Sequence, residues 1–103
     1  MNNDLITLKW LTLYYAPGLS AQALTQLHLQ LKTPCKIIDY LLNHPQTLDC
    51  TRYALRRPNQ SKLDYDMTWQ QQPNHYIIHR DSPFYPELLQ QIATPPPILY
   101  LQG

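Results

Sequence analysis

The sequence predicts a mainly α-helical fold, in which a small bundle of five short helices is followed by a strand–helix–strand tail. Apolar residues recur at intervals of three and four through the first two thirds of the chain, which is the spacing of a helix face. Residues typical of helix starts and ends separate these segments. After Asn74 the pattern changes to short aromatic and β-branched runs, which are typical of strands.

The first two helices are expected over about 5–15 and from 21 onward. The first has two apolar faces, so we expect it to be central and covered on both sides; they consist of Leu5, Leu8, Leu11 and Tyr15, and of Ile6, Trp10 and Leu13. Pro17-Gly18 ends it, because proline disfavours a helical residue before it and glycine permits positive φ. Ser20 is the expected N-cap of the second helix, whose inner face holds Leu24, Leu27 and Leu31.

Three further helices follow at short intervals. Thr33-Pro34 predicts a helix start, with Thr as N-cap and Pro at the first position. The apolar residues of this third helix are Ile37, Ile38, Leu41 and Leu42. A fourth helix is expected over about 47–56, with Leu48, Cys50, Tyr53 and Ala54 as its apolar residues. Ser61-x-x-Asp64 resembles a capping box that opens a fifth helix through Leu63, Met67 and Trp69. A boundary at 70–74 then divides the chain into domains 1–73 and 74–103.

The tail reads as a minimal parallel βαβ unit. Residues 75–79 and 98–101 are the predicted strands, and a helix beginning at Pro86 carries an apolar stripe of Leu88, Leu89 and Ile92. A two-stranded sheet is marginal alone, so the tail is interpreted as the start of a larger α/β domain. The strands are expected to be poorly ordered, or to pair with each other or with another copy of the chain.

Composition limits the function classes without selecting one. The net charge is +1, so bulk electrostatics do not predict nucleic-acid binding. Charge is nevertheless uneven, because residues 30–62 hold six Lys or Arg against two Asp, whereas residues 63–103 hold one Arg against four acidic residues. Cys35 and Cys50 lack a C-x-x-C spacing and predict reduced, buried thiols. With no signal peptide and no long apolar run, the sequence predicts a cytoplasmic chain without a membrane partner.

Two groups of residues are candidate nucleic-acid contacts. The turn Pro17, Gly18, Leu19 and Ser20 between two helices resembles a helix-hairpin-helix motif, although Ser20 stands where a second Gly is usual and no Lys or Arg follows nearby. An ordinary capped corner between two helices is the more economical interpretation. The second group could form a face that contacts phosphates, or simply a solvated surface; it comprises Lys32, Lys36, Arg52, Arg56, Arg57 and Lys62.

No catalytic or metal-binding pattern is present in the sequence. The four histidines lack ligand spacing, although His75 and His79 fall on one face of a strand. A chain with two glycines has no Gly-rich phosphate loop, and neither G-x-S-x-G nor H-E-x-x-H occurs. We therefore expect neither an enzyme nor a cofactor or metal site.

The tail carries the most specific pattern, D-x3-Y-P-x-L-L-x2-I-x2-P-P-P-x-L-Y-x2-G. Its positions are Asp81, Tyr85, Pro86, Leu88, Leu89, Ile92, Pro95 to Pro97, Leu99, Tyr100 and Gly103. This pattern resembles the signature of the DNA-processing protein A family (DprA, also called Smf). Residues 5–72 resemble the sterile-alpha-motif-like N-terminal domain of that family in layout only.

The resemblance implies an N-terminal fragment of a recombination mediator. In that family a helical domain precedes an extended Rossmann-like domain, which binds single-stranded DNA and forms a homodimer. The protein loads RecA onto incoming single strands during natural transformation. The DNA-binding residues of the family lie beyond the equivalent of Gly103, so none is carried onto this chain. Asp81, Tyr85, Pro86, Leu89, Pro96, Tyr100 and Gly103 are accordingly expected to have structural roles.

Three functions remain open from the sequence. The first is an accessory protein- or DNA-contacting module of a DprA-like protein. The second is a stand-alone helix-hairpin-helix module that binds DNA. The third is a protein–protein interaction domain with no nucleic-acid role.

Overall fold

A computed structural model describes residues 3–102 and confirms a mainly helical fold. Five helices are followed by two short strands with one helical turn between them. The helices and strands are α1 (Asn3–Tyr15), α2 (Ala21–Leu31), α3 (Pro34–Asn43), α4 (Asp49–Arg56), α5 (Gln60–Gln70), β1 (His75–His79), α6 (Glu87–Gln90) and β2 (Ile98–Gln102). Within the described range, no helix is long and apolar enough to cross a bilayer.

Helix α1 is the centre of the core, as its two apolar faces predict. Trp10, Leu11 and Leu13 have no exposed surface, and α1 packs against α3, α4, α5 and both strands. Its ends remain open, where Leu5 and Ile6 in the first turn and Tyr14 in the last turn are exposed. The helix that the sequence marks as apolar on two sides is therefore covered on both.

Side-chain caps start three of the helices, two of them as predicted. The hydroxyl of Ser20 accepts a hydrogen bond from the amide of Ala23 at 3.1 Å, and that of Thr33 accepts one from Lys36 at 3.3 Å. The prediction of a capping box at Ser61 was wrong. Asn59 caps α5 by accepting from the Lys62 amide at 3.2 Å, so Ser61 lies inside the first turn. Asn is as good an N-cap as Ser, and it comes first after Pro58.

The residues that α4 buries differ from the apolar residues named for it from the sequence. Thr51 and Leu55 are its buried residues, whereas Leu48, Cys50 and Tyr53 are exposed. The two buried residues are four apart and so share one helix face. Thr51 tolerates burial because its hydroxyl donates a hydrogen bond to the carbonyl of Pro17. Cys35 is exposed as well, so the expectation that both thiols are buried was also wrong.

Strands β1 and β2 pair with each other in antiparallel register, which corrects the predicted parallel βαβ unit. His75 lies opposite Gln102, and His79 lies opposite Ile98. A parallel crossover must return along the whole strand, roughly 17 Å for five residues. The four residues of α6 rise only about 6 Å, and the hydrogen bond from the Tyr85 hydroxyl to the Pro96 carbonyl closes the intervening segment, so β2 begins beside the end of β1 and runs back along it. The expectation that the two strands pair is confirmed in this form.

Helix α6 does not bury the apolar stripe predicted for it. Leu88 is 77% exposed and Ile92 is about half exposed, while Leu89 is partly covered. Pro86 precedes the helix as its N-cap residue rather than standing in its first turn. One turn is too short to present a continuous face, because residues 88 and 92 cannot both belong to it.

The sheet shares a single hydrophobic core with the helices. Ile77 and Ile98 belong to the same cluster of buried residues as Trp10 and Leu11. The hydroxyl of Tyr15 on α1 donates to Asp66 on α5 at 2.5 Å, and that of Tyr100 on β2 donates to the same oxygen at 3.1 Å. Residues on either side of the 70–74 segment are thus joined by apolar packing and by hydrogen bonds.

Candidate nucleic-acid interface

Four of the six predicted basic residues meet on one side of the molecule. Arg52 and Arg56 lie on α4, Arg57 is its C-cap residue, and Lys62 lies in the first turn of α5. Two shallow depressions, of about 680 and 350 Å³, open there and share Tyr53 and Arg57. We call Arg52, Tyr53, Arg56, Arg57 and Lys62 the basic surface.

Arg52 has a structural role within the basic surface. Its Nη1 lies 3.5 Å from the carboxylate of Asp49, and its Nη2 donates to the carbonyl of His44. His44 is the C-cap residue of α3, so the guanidinium ties the end of α3 to α4 through a carbonyl that also accepts from the Thr47 amide. Arg52 contributes charge to the surface, but it is held in place.

Arg56, Arg57 and Lys62 carry the available positive charge. All three are exposed, and across the side chains of residues 5–102 no carboxylate forms an ion pair with any of them. The ammonium of Lys62 lies 5.1 Å from the centroid of the Tyr15 ring, a cation–π distance that leaves its outer side open to solvent. These three cations can reach an anionic ligand without first breaking an ion pair.

Tyr53 is a functional candidate that the sequence did not assign to the nucleic-acid contacts. Its ring is 65% exposed and forms part of both depressions, beside Arg56 and Arg57. The sequence indicates this position, because Tyr53 and Arg57 are four residues apart and so share the exposed face. An aromatic ring among cations offers a stacking surface for a nucleobase next to contacts for phosphate.

Lys32 and Lys36 do not belong to the basic surface. Lys32 is the C-cap residue of α2 and has φ 74°, and Lys36 lies in the first turn of α3. Neither lines the two depressions. The structure therefore divides the six predicted contacts into a group of four and a separate pair.

The turn at residues 17–20 is packed against α4. Gly18 has φ 77°, and a Cβ there would lie 2.8 Å from Leu48 Cδ1 and 3.0 Å from Thr51 Oγ1. Pro17 stands at the edge of the depression that holds Arg57 and Lys62, whereas Gly18 and Leu19 line another, beside Leu48. Because Ser20 already caps α2, the observed contacts of this turn are those of a packed corner.

We expect Gly18→Ala to lower the free energy of unfolding by about 1–2 kcal/mol, since alanine combines positive φ with a close approach to Leu48 and Thr51. Urea denaturation followed by circular dichroism measures the change. Gln22→Ala, at an exposed position of α2, is the matched control and should stay within about 0.5 kcal/mol of the parent. Equal stability of Gly18→Ala and the parent would mean that the turn is not constrained by α4.

The tail residues of the family pattern have structural contacts. Tyr85 is buried, and its hydroxyl donates to the carbonyl of Pro96 at 2.6 Å, which closes the segment that contains α6. Asp81 lies 2.7 Å from Nε2 of His28 and ties the turn after β1 to α2. Gly103 lies outside the described residues.

The histidines of β1 stack on tryptophans. His75 packs on Trp69 at 4.4 Å between ring centroids, and His79 lies parallel to Trp10 at 6.4 Å. Burial lowers the pKa of His79, and the nearby Asp81 offsets part of this effect. No group of three or more metal-ligating side chains occurs in the part of the chain that the structure describes.

Comparison with known proteins gives no assignment. No protein-family model, curated protein or solved structure matches this chain. The basic surface and the sequence pattern of the tail are therefore the observations on which a function rests.

Proposed function

We propose that this chain is an accessory nucleic-acid-contacting module of a DprA-like recombination mediator. The observation that carries the proposal is the basic surface, where Arg56, Arg57 and Lys62 surround an exposed tyrosine and form no ion pair among the described side chains. The pattern from Asp81 to Tyr100 supports the choice of family. The proposal involves no catalytic step and no cofactor.

The wider role follows from the family and is proposed with it. The complete protein would act in the cytoplasm as a homodimer, bind single-stranded DNA and load RecA during natural transformation. The basic surface would make a weak, secondary contact with the phosphate backbone. Three cations support only a few phosphate contacts, so binding by the chain alone should be weak at physiological salt.

A charge-removal experiment tests the contact. We expect Arg56→Gln combined with Arg57→Gln to weaken binding of a fluorescent 20-nucleotide single strand, measured by anisotropy between 50 and 200 mM salt. Each lost phosphate contact should flatten the slope of log affinity against log salt by about 0.7, so two lost contacts flatten it by about 1.4. The substituted side chains are exposed, so the fold should not change.

Lys32→Gln combined with Lys36→Gln is the matched control. It removes the same charge from outside the basic surface, so its slope should stay close to that of the parent. Equal losses in both double variants would show that only net charge matters and would contradict the proposed surface. Tight binding that persists at high salt would contradict an accessory role.

A further inference from the structure

A large hollow lies along the edge of β1 that faces away from β2. Its volume is about 1070 Å³, above the usual range for small-ligand pockets. Four of the five residues of β1 line it, whereas β2 contributes only Leu101. The first turns of α1 and α3, the end of α5 and the turn at 81–84 form its walls. The lining is mostly apolar.

Hydrogen bonds establish which backbone groups of β1 point away from β2. The Ile77 amide donates to Oε1 of Gln70 at 3.3 Å, and the His75 amide donates to the carbonyl of Gln72 at 3.2 Å. The His79 carbonyl accepts from the Ser82 amide at 3.0 Å. All three partners lie off the sheet. Because backbone groups alternate between the two sides of an antiparallel strand, residues 75, 77 and 79 direct their amides and carbonyls away from β2.

On the two buried residues, Ile77 and His79, one outward group each lacks a partner among the described residues. Within residues 3–102, neither the carbonyl of Ile77 nor the amide of His79 takes part in a hydrogen bond on this side. The two residues are only 6% and 8% exposed. Buried backbone groups are nearly always paired, so this edge resembles a strand that lacks its neighbour. Gln70 supports that view, because its carboxamide, chemically a peptide group, accepts from the Ile77 amide in the place where a neighbouring strand would pair.

We propose that an extended, apolar peptide segment of a partner protein adds to β1 as a third strand and fills the hollow. Main-chain groups of the segment would pair with Ile77 and His79 and displace Gln70, which is the mode called β-augmentation. Its side chains would alternate between Ile6 and Pro34 on the helical side and Tyr76 and Leu101 on the other.

The surroundings of the edge determine the chemistry of this partner. A small molecule would leave the spaced backbone groups unpaired. A second copy of the chain cannot bring its own β1 into contact, because that edge is recessed between α1, α3 and the 81–84 turn. The one carboxylate in the lining, Asp81, is already 2.7 Å from His28, and no Lys or Arg lines the hollow. The centre of the segment should therefore be uncharged.

Selection from a library of displayed random octapeptides on the immobilised 103-residue chain tests the inference. We expect enrichment of sequences in which apolar residues alternate and Asp and Glu are depleted. The best peptide is then synthesised in two N-methylated forms. One form carries methyl groups on its odd-numbered backbone amides, and the other carries them on its even-numbered backbone amides. One form should lose about tenfold or more in affinity and the other should bind nearly as well as the parent, because only one set of amides faces β1.

Variants of the first turn of α1 locate the site. Ile6→Asp places a charge on the lining and should weaken peptide binding about tenfold or more. Leu5→Asp is the matched control, since Leu5 is exposed but lies outside the hollow, and it should bind within about twofold of the parent. Three results would overturn the proposal: no enriched peptide, equal effects of the two methylation patterns, or a dimer of the chain in sedimentation velocity that Ile6→Asp abolishes.

Discussion

Trp10→Ala is expected to lower the free energy of unfolding by about 3–5 kcal/mol, a large part of the stability of a small domain. The side chain has no exposed surface, and its ring lies 5.4 Å from that of His28 on α2 and 6.4 Å from that of His79 on β1. It therefore joins the helical core to the sheet. Truncating a buried tryptophan costs about 3–5 kcal/mol, whereas a domain of this size has a total stability of only about 5–15 kcal/mol.

Urea denaturation and the dispersion of amide proton signals measure the loss. Trp10→Phe is the informative comparison, because it keeps much of the ring volume and removes an indole N–H that has no hydrogen-bond partner. It should cost clearly less than Trp10→Ala. Tyr53→Ala, on the exposed basic surface, should change stability by about 0.5 kcal/mol or less. A cost below about 1 kcal/mol for Trp10→Ala would contradict a shared core.

The helical part of the fold could be predicted from the sequence because its signals are local. The caps at Ser20 and Thr33 bond to amides three residues away. The two apolar faces of α1 follow directly from residue spacing. The face of α4 was not predictable in this way, because Thr51 owes its burial to a carbonyl 34 residues away. That contact turns Thr51 inward, and Tyr53, two residues further on, lies exposed.

The antiparallel direction of the tail strands could not be predicted from the sequence, for a related reason. A strand, a possible helix and a second strand are compatible with either parallel or antiparallel pairing, and the choice depends on how far the intervening segment travels. Only the structure shows that α6 is a single turn. The open edge of β1 was equally hidden, since it depends on which amide Gln70 reaches. The basic residues could be found by composition, but not their division into two groups.

Asp66→Ala is expected to lower the free energy of unfolding by about 2–3 kcal/mol, the scale of hydrogen bonds to a charged group. Asp66 is 5% exposed and accepts bonds from the hydroxyls of Tyr15 and Tyr100, so its removal leaves two hydroxyls on α1 and β2 without their acceptor. Asp64→Ala removes an exposed carboxylate from the same helix and should cost about 0.5 kcal/mol or less. Equal losses in the two variants would contradict a role for the buried network.

The same network predicts that stability falls at alkaline pH. Burial raises the pKa of Tyr15 above its usual 10.0, and the hydrogen bond to Asp66 raises it further. Burial likewise raises the pKa of Tyr100, and its hydrogen bond with Tyr15 raises that pKa further. Above pH 10 the unfolded chain therefore loses these protons while the folded chain retains them. The contribution of the two tyrosine hydroxyls to the free energy of unfolding is thus complete below pH 10 and declines as the pH rises. Urea denaturation from pH 8 to 11 should show this decline, and Tyr15→Phe combined with Tyr100→Phe should remove most of it. An unchanged decline in that double variant would mean that other groups cause it.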